Sequence, residues 1–317
     1  MRSVSLRQIL AICSLQLFIA AAANIAPAAA ADFKFPRGFE GRQIEVQGGT
    51  QYVRVGGKGP AVLLLHGFGD TGDMWAPLAR ILVQSHTVIV PDLRGMGLSS
   101  HPDDGYTKVA QARDLAGILD KLHVTDVELV THDIGNMVGY AFAAQYGARV
   151  TKWVVMDAPL PGLGNWQAQL TNPKVWHFNF RGPDVERLVA GRERILLDRF
   201  YNELSANPKG IDEETREHYA RLYARPKAIH DAFSGQFAAF AEDAEDNKAL
   251  LAKGGPLQMP VLAIGGDHSY GLGLAAELSG GVAANVKGEA IKDSGHWIME
   301  EQPKQAIDLI VRFLEAK

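Results

Sequence analysis

The sequence predicts an α/β fold, in which a mostly parallel β-sheet carries helices on both faces and is interrupted by a helical insertion. Two observations support this prediction. Short, wholly apolar segments alternate with longer segments of helical period, as expected for strands that are buried on both faces of a parallel sheet. This alternation stops after Ala158 and resumes only at Pro260, which indicates an insertion between them.

The buried strands are predicted from apolar runs that are short for buried helices, at residues 61–65, 87–90, 127–131, 153–156 and 261–264. Apolar residues at a period of about 3.6 predict helices at 74–83, 109–122, 137–146 and 305–314. Before the first strand, residues 43–47 and 51–55 flank a pair of glycines, which is typical of an antiparallel hairpin. We expect this hairpin at an edge of the sheet.

The insertion is predicted to be a helical cap over residues 159–255. It contains aromatic residues, charges and the helical stretches 185–202 and 213–223, but no strand pattern. A loop of this length without structure of its own is uncommon in a compact domain. The core domain is therefore expected to consist of two parts, residues 32–158 and 256–317.

Residues 1–31 have the pattern of a bacterial signal peptide. Arg2 and Arg7 precede an apolar, alanine-rich stretch, and a run of alanines at 28–31 provides small residues for cleavage. The apolar stretch is shorter than the ~20 residues that a bilayer span needs. We therefore expect a secreted or periplasmic protein with no membrane span after cleavage.

The composition excludes several kinds of site. Cys13 is the only cysteine and lies in the predicted signal peptide, so the mature chain offers no thiol for a disulfide, a nucleophile or a metal ligand. The formal net charge is −4 and no basic cluster stands out, so a nucleic acid is not an expected partner. His66, His132 and His296 lack metal-ligand spacing, so no metal is expected.

The first catalytic signal is the sequence THDIG at residues 131–135, which follows a predicted strand and opens a predicted helix. This is the context of a nucleophile elbow, where the nucleophile lies on a strained turn and needs small neighbours. Gly135 and Gly139 are such neighbours. Because Asp133 holds the position usually occupied by serine, we predict Asp133 as the nucleophile. The alternative is that Asp133 only caps the following helix.

Two further signals complete a catalytic site. The sequence HGFG at residues 66–69 follows the strand at 61–65, where this arrangement supplies a backbone N–H to an oxyanion hole. The predicted hole consists of the N–H groups of Phe68 and Ile134. His296, in the sequence SGHW before the last helix, has the late position in the chain that is required of the general base.

The acid that orients His296 has two candidates. Asp157 follows the strand at 153–156, and Asp267 follows the strand at 261–264. Both positions are used for the acid in sites of this kind. The residues alone leave this choice open.

An aspartate nucleophile favours attack on an electrophilic sp³ carbon. Attack on an ester would give an anhydride, whereas attack on an sp³ carbon gives an alkyl-enzyme ester. His296 would then activate a water molecule against the ester carbonyl of Asp133. The substrate should therefore carry a leaving group on carbon, such as an epoxide oxygen or a halide.

These motifs resemble the epoxide hydrolase and haloalkane dehalogenase branch of the α/β-hydrolases, and among them the secreted bacterial Cif-type epoxide hydrolases. The resemblance covers nearly the whole predicted mature chain. The matching sequences are HGFG (66–69), PDLRGMGLS (91–99), HDIG (132–135), DAPLP (157–161), VWHF (175–178), GRER (191–194), YARP (223–226), LQMP (257–260) and GHW (295–297). The resemblance implies Asp157 rather than Asp267 as the acid and no cofactor, and it is consistent with a homodimer.

In the Cif type, a lid histidine and a lid tyrosine hydrogen-bond the epoxide oxygen and protonate it as the ring opens. His177 matches that histidine. The tyrosine has no match, because residues 233–240 contain none and Gln236 or Phe237 stands in its place. Other candidates for a second donor are Tyr140, Tyr223 and Tyr270.

The sequence thus predicts hydrolysis of a small neutral or hydrophobic epoxide to a vicinal diol. The predicted pocket residues are Trp176, Phe178, Phe237 and Trp297. A haloalkane or haloacid dehalogenase with the same Asp-His-Asp set is the first alternative. Ile134 argues against the haloalkane type, which usually has tryptophan there, and residues 136–138 provide no arginine for a haloacid. A non-catalytic protein that binds a hydrophobic ligand is the second alternative.

Overall fold

A computed structural model describes residues 35–316, and the predicted signal peptide at 1–31 lies outside the described residues. Within them the sheet has eight strands: β1 (Phe39–Val46), β2 (Gly49–Gly57), β3 (Ala61–Leu65), β4 (Thr87–Pro91), β5 (Val127–His132), β6 (Val150–Met156), β7 (Leu257–Gly266) and β8 (Ala283–Ile291). Their order is β1-β2-β4-β3-β5-β6-β7-β8. The pairs β1–β2 and β2–β4 are antiparallel and the others are parallel. The predicted α/β fold and the edge hairpin are confirmed.

The core helices cover the two faces of this sheet. They are α1 (Ala76–Leu82), α2 (Lys108–Lys121), α3 (Ile134–Gln145), α10 (Gly273–Ser279), α11 (Ile298–Glu301) and α12 (Pro303–Glu315), and short 3₁₀ turns lie at Gly72–Trp75 and Gly147–Arg149. Alternate residues of β3 serve opposite faces: Leu63 and Leu65 pack in one apolar cluster, and Val62 and Leu64 in the other. The sheet is therefore buried on both sides, as its apolar runs predict.

The segment between β6 and β7 is helical in the described structure. Its α-helices are α4 (Trp166–Gln169), α5 (Pro183–Val189), α6 (Glu193–Leu204), α7 (Glu213–Tyr223), α8 (Ala228–His230) and α9 (Phe240–Gly254). Two 3₁₀ helices (Pro173–Asn179 and Pro208–Gly210) and a π-helix (Asp231–Phe237) connect them. We call the segment 159–255 the cap. None of the helices described in residues 35–316 is long and apolar enough to cross a bilayer.

One predicted cap helix is wrong. The stretch 185–202 is not continuous, because α5 ends before Gly191 and α6 begins after it. Gly191 has a φ of +74°, a conformation that glycine adopts easily and that interrupts a right-handed helix. The predicted helix at 213–223 is confirmed as α7.

Candidate active site

Asp133 lies on a strained turn between β5 and α3. Its backbone has φ 51° and ψ −121°, outside the regions that non-glycine residues normally occupy. Two glycines leave room for the turn between closely packed segments. A Cβ atom on Gly135 would lie 2.4 Å from the carbonyl oxygen of Leu65. A Cβ atom on Gly67 would lie 2.3 Å from that of Asp133. This is the geometry of a nucleophile elbow.

Thr131 is larger than the glycine usually found two residues before the nucleophile, and its hydroxyl explains why it fits. The Oγ1 atom donates to Asn136 Oδ1 at 2.6 Å and accepts from the indole Nε1 of Trp153 at 2.9 Å. Asn136 in turn donates to the carbonyl of Met156 at 2.7 Å. The extra side chain therefore ties the elbow to β6.

The loop after β3 places a backbone donor on the Asp133 carboxylate. The N–H of Phe68 donates to Asp133 Oδ1 at 2.8 Å. The N–H of Ile134, the first residue of α3, makes no hydrogen bond within the described part of the chain. Of the two N–H groups predicted for the oxyanion hole, that of Phe68 is thus bound to the carboxylate, and that of Ile134 has no partner among the described residues.

Buried side chains fix the position of this loop. Burial lowers the pKa of His66, and its neutral ring accepts the N–H of Leu93 at Nε2, 2.9 Å away. Gly69 is held at both ends: its N–H donates to the Tyr223 hydroxyl at 2.8 Å, and its carbonyl accepts from the Tyr201 hydroxyl at 2.6 Å. The oxyanion loop is therefore preorganised by the surrounding side chains.

His296 bridges Asp133 and Asp157. Its Nδ1 atom lies 3.0 Å from Asp157 Oδ2, and its Nε2 atom lies 3.8 Å from Asp133 Oδ2. Burial alone would lower the pKa of His296, but the hydrogen bond to Asp157 and the charge of Asp133 outweigh it and raise the pKa. The other oxygen of Asp157 accepts the N–H groups of Gly266 and Tyr270, at 2.9 and 3.2 Å. The buried carboxylate is therefore locked against the imidazole.

Asp267 has no contact with His296 within the described residues. It is exposed and accepts the N–H of Ser294 at 3.1 Å. With His268 and Asp293, it puts three possible metal-ligand atoms within 4.8 Å of one another on the surface. Exposed acidic groups often lie together in this way without an ion. The geometry thus favours Asp157 as the residue that orients His296.

His132 was given no role from the sequence, yet it contacts His296. Its Nε2 atom lies 2.9 Å from the carbonyl oxygen of His296, and the two rings lie 4.6 Å apart. Burial and the neighbouring His296 lower its pKa to about 3. Since a carbonyl can only accept, the neutral ring of His132 donates to it and holds the loop of the base. The HD pair in the elbow is the sequence signal for this contact.

A cavity of about 100 Å³ opens beside Asp133 and His296, between the core and the cap. Of the four predicted pocket residues, Phe178 and Trp297 line it. Trp176 does not: its ring packs against Phe180 (4.7 Å between centroids) and under the guanidinium of Arg199. Predicting Trp176 as a wall residue was therefore wrong.

Phe237, also predicted as a pocket residue, does not line the cavity but packs behind its wall. Its ring packs 5.0 Å from Phe68 and 5.2 Å from His177, so it supports two lining residues from behind. Wall residues that the sequence analysis missed include Phe200 and Tyr270. Phe200 lies on α6, where only the cap structure reveals which face meets the cavity.

His177 lies in the cavity wall and is uncharged. Burial lowers its pKa to about 3, and its Nδ1 atom is buried without a partner among the described residues. A neutral imidazole carries one N–H group, so His177 can offer one hydrogen bond to a bound ligand. Gln236 cannot, since its amide donates to Arg94 C=O and Gln111 Oε1, at 2.9 and 3.2 Å.

The arrangement combines a carboxylate on an elbow, a paired histidine and an apolar cavity. Such a carboxylate can act as a nucleophile, and such a histidine can act as a general base. Among the described residues no arginine lines the cavity, and Lys174 is the one lysine that does.

The comparisons with known proteins agree with this geometry. Residues 60–303 match the family described as alpha/beta hydrolase fold. A soluble epoxide hydrolase of Corynebacterium sp. (strain C12) is 31% identical over 279 residues, which cover 86% of this chain and 96% of that protein. A fluoroacetate dehalogenase of Burkholderia sp. is 30% identical over 243 residues, covering 72% and 78%.

A similar solved structure is the Cif epoxide hydrolase from Acinetobacter nosocomialis, with a TM-score of 0.82 and 26% identity, covering 89% of this chain and 90% of that chain. The family match spans most of the chain, and the two curated relatives each align over more than two thirds of it. The protein is therefore an enzyme of hydrolase fold, and it belongs to the α/β-hydrolases, in their epoxide hydrolase branch.

Proposed function

We propose that this protein hydrolyses epoxides to vicinal diols through a covalent ester on Asp133. The observation that carries the proposal is the setting of the Asp133 carboxylate. One oxygen accepts the Phe68 N–H, while the other faces His296 Nε2 across 3.8 Å beside the cavity. A serine hydrolase needs a hydroxyl at this position, and the elbow offers a carboxylate instead.

In the first half of the proposed reaction, Asp133 Oδ2 attacks an epoxide carbon. A carbon–oxygen bond of the ring breaks, and the electron pair moves to the epoxide oxygen. The neutral ring of His177 donates a hydrogen bond to this oxygen from the cap. The oxygen takes up one proton, which hydrolysis of the ester later returns, and the product is a hydroxyalkyl ester of Asp133, whose carbonyl oxygen is Oδ1.

In the second half, water attacks the carbonyl carbon of the ester. His296 Nε2 takes a proton from the water, and Asp157 stabilises the imidazolium through Nδ1. Negative charge then develops on Oδ1, which the Phe68 N–H already contacts, and the Ile134 N–H is free to join it. Removal of one such donor costs roughly 3–4 kcal/mol in comparable sites. Collapse of the intermediate releases the diol.

The cavity supports a small, neutral substrate. Its volume of about 100 Å³ is smaller than the ~150 Å³ engineered cavity that admits benzene. Its walls include the aromatic rings of Phe68, Phe178, Phe200 and Trp297. A short alkyl epoxide fits inside, and the ring of styrene oxide would reach the mouth.

The second candidate is a dehalogenase, which the fluoroacetate dehalogenase relative favours. A leaving halide needs N–H donors in the cavity. The indole Nε1 of Trp297 already donates to the carbonyl of Phe200 at 3.2 Å, and Ile134 offers no side-chain donor. His177 then supplies one N–H group for a halide while these two residues supply none, which favours the epoxide over the halide.

The test is intact-protein mass spectrometry of the His296→Gln variant mixed with 1,2-epoxybutane or styrene oxide. Without the base, the ester on Asp133 should accumulate and add the full mass of the epoxide. The double variant His296→Gln/Asp133→Asn is the matched control and should gain nothing.

Three results would change the assignment. An adduct from 1-bromobutane or fluoroacetate, but from neither epoxide, would favour the dehalogenase. An adduct that persists in the double variant would remove Asp133 as the nucleophile. No adduct from any of these compounds would contradict the proposed reaction and favour a binding protein.

A further inference from the structure

Opening of an epoxide ring leaves an alkoxide that needs a proton, and this inference rests on the proposed epoxide hydrolysis. The cap supplies one donor, His177, whose neutral N–H is a weak acid. The stretch 233–240 of the cap offers no second donor: Gln236 is bonded to the core, and the Ser234 hydroxyl donates to Glu186 at 2.8 Å. A second donor must therefore come from elsewhere in the cavity wall.

The contacts of the tyrosine side chains show which hydroxyl could reach a ligand in the cavity. Tyr201 and Tyr223 hold Gly69 and are occupied. The hydroxyl of Tyr106 donates to the carbonyl of Pro102 at 2.9 Å. Tyr140 is fully buried in α3 and does not line the cavity. Among the described tyrosines, the one that lines the cavity is Tyr270.

Tyr270 follows β7 and lies beside the catalytic set. Its backbone N–H donates to Asp157 Oδ1 at 3.2 Å, which places the residue one contact away from His296. Its side chain is half-buried, and its hydroxyl has no hydrogen-bond partner among the described residues. The negative charge of Asp133 is one of the causes that raise the pKa of the Tyr270 phenol, so the two groups interact electrostatically.

The other polar residues of the lining are poorer candidates. Ser269 and Lys174 are exposed at the mouth. Asn172 donates to Gln169 at 3.3 Å, and its oxygen accepts the N–H of Lys174. The amide nitrogen of Gln169 also has no partner among the described residues, but a carboxamide N–H is too weak an acid to give up its proton. Among the described lining residues, Tyr270 is therefore the half-buried side chain with an unpartnered hydroxyl.

We propose that Tyr270 donates the proton to the epoxide oxygen from the core side of the cavity, while His177 donates a hydrogen bond from the cap. Tyr270 would thus be a catalytic residue of the first half-reaction. It would replace a lid tyrosine with a residue from the loop that follows β7, in the same loop that buttresses the acid of the site.

The protons balance over the whole reaction. As Asp133 bonds to carbon and the ring carbon–oxygen bond breaks, the oxygen takes the phenol proton and leaves a tyrosinate. Hydrolysis of the ester by one water then yields the Asp133 carboxylate, the diol and one proton. That proton restores the phenol, so no further reactant is needed.

The surrounding charges favour transfer at the right moment. Burial raises the pKa of the Tyr270 phenol, and the charges of Glu277, Asp157 and Asp133 raise it further, so the resting side chain keeps its proton. Ester formation neutralises Asp133 and removes its contribution. The phenol therefore becomes more acidic as the alkoxide forms.

The test compares Tyr270→Phe with Tyr140→Phe, each combined with His296→Gln so that only the first half-reaction is measured. The rate of ester formation with 1,2-epoxybutane should fall at least tenfold with Tyr270→Phe. It should stay within twofold with Tyr140→Phe, which removes a buried hydroxyl outside the cavity. An unchanged rate in Tyr270→Phe would overturn the proposal.

A second measurement separates catalysis from positioning. Phenylalanine keeps the backbone N–H on Asp157, so an NMR titration of the His296 imidazole in the single Tyr270→Phe variant should match that of the unmodified protein. A slowed reaction together with a shifted titration would assign Tyr270 to positioning and refute its role as donor. If His296→Gln alone forms no ester, the proposed epoxide reaction itself fails, which is a distinct result.

Discussion

Replacement of Asp157 by asparagine should stop the second half of the proposed reaction and spare the first. One carboxylate oxygen accepts the N–H groups of Gly266 and Tyr270, and the other accepts His296 Nδ1. Because the two backbone donors require an oxygen, the asparagine must turn its NH₂ group towards His296. This NH₂ group favours the tautomer that carries its proton on Nε2 and cannot accept one from water, in competition with the backbone carbonyl of residue 157, which also lies 3.0 Å from Nδ1.

The same substitution in a serine hydrolase triad lowers kcat about 10⁴-fold through the same wrong tautomer, which corresponds to ~5 kcal/mol on the barrier. We expect a loss of this size in ester hydrolysis, so that the adduct on Asp133 accumulates and is seen by quenched-flow mass spectrometry. Asp267→Asn is the control, since Asp267 is exposed and accepts only backbone N–H groups. Turnover by Asp157→Asn at the normal rate would refute this reasoning, as would an adduct that accumulates in Asp267→Asn.

Two further predictions concern the support of the site. Gly135→Ala would place a Cβ atom 2.4 Å from the backbone oxygen of Leu65 and should lower the free energy of unfolding in urea by about 3 kcal/mol or more. Gly117→Ala, which places no Cβ atom within 4 Å of another atom, should raise it by up to ~1 kcal/mol. Equal effects of the two substitutions would contradict this expectation. Burial raises the pKa of Glu300 to about 8, so the folded state keeps a proton that the unfolded chain loses above about pH 4.5. The free energy of unfolding should therefore fall as the pH rises from about 4.5 to about 8. Glu300→Gln should flatten the fall of Tm between pH 5 and 9, and Glu214→Gln on the exposed cap surface should not; a parallel fall in both variants would exclude Glu300 as its cause.

The core of the fold could be predicted because its signals are local. A short apolar run predicts each of the five central strands, and each predicted run lies within an observed strand. The strand β8 was not given bounds, because it lies at the sheet edge and mixes buried with exposed residues. Its buried residues neither alternate regularly nor form a continuous run, so both sequence signals of a strand are absent.

The proposed catalytic residues could be predicted for a similar reason. Asp133, Asp157 and His296 each come after a strand that ends at one edge of the sheet, so topology alone brings them together. The residues alone left the choice between Asp157 and Asp267 open, because both follow neighbouring parallel strands, and only the family resemblance implied Asp157. Only the structure shows that Asp157 turns inward, with a φ of +47°, while Asp267 stays on the surface.

The cap could not be predicted to the same depth. Its short helices, its π-helix and its turns depend on contacts between residues far apart in the chain. An aromatic residue such as Trp176 can pack inward or outward from the same local sequence. Its ring lies over Arg199 on α6, a contact that the sequence does not announce.

This division also separates chemistry from substrate choice. The proposed nucleophile, base and acid belong to the core, while Phe178, Phe200 and His177 reach the cavity from the cap. Changes in the cap can therefore alter which molecule fits without altering how a carbon–oxygen bond is broken. Tyr270 differs from these cap residues, because it lines the cavity but belongs to the core, and its backbone N–H binds Asp157. A donor fixed to the core would stay in register with the nucleophile even when the cap moves.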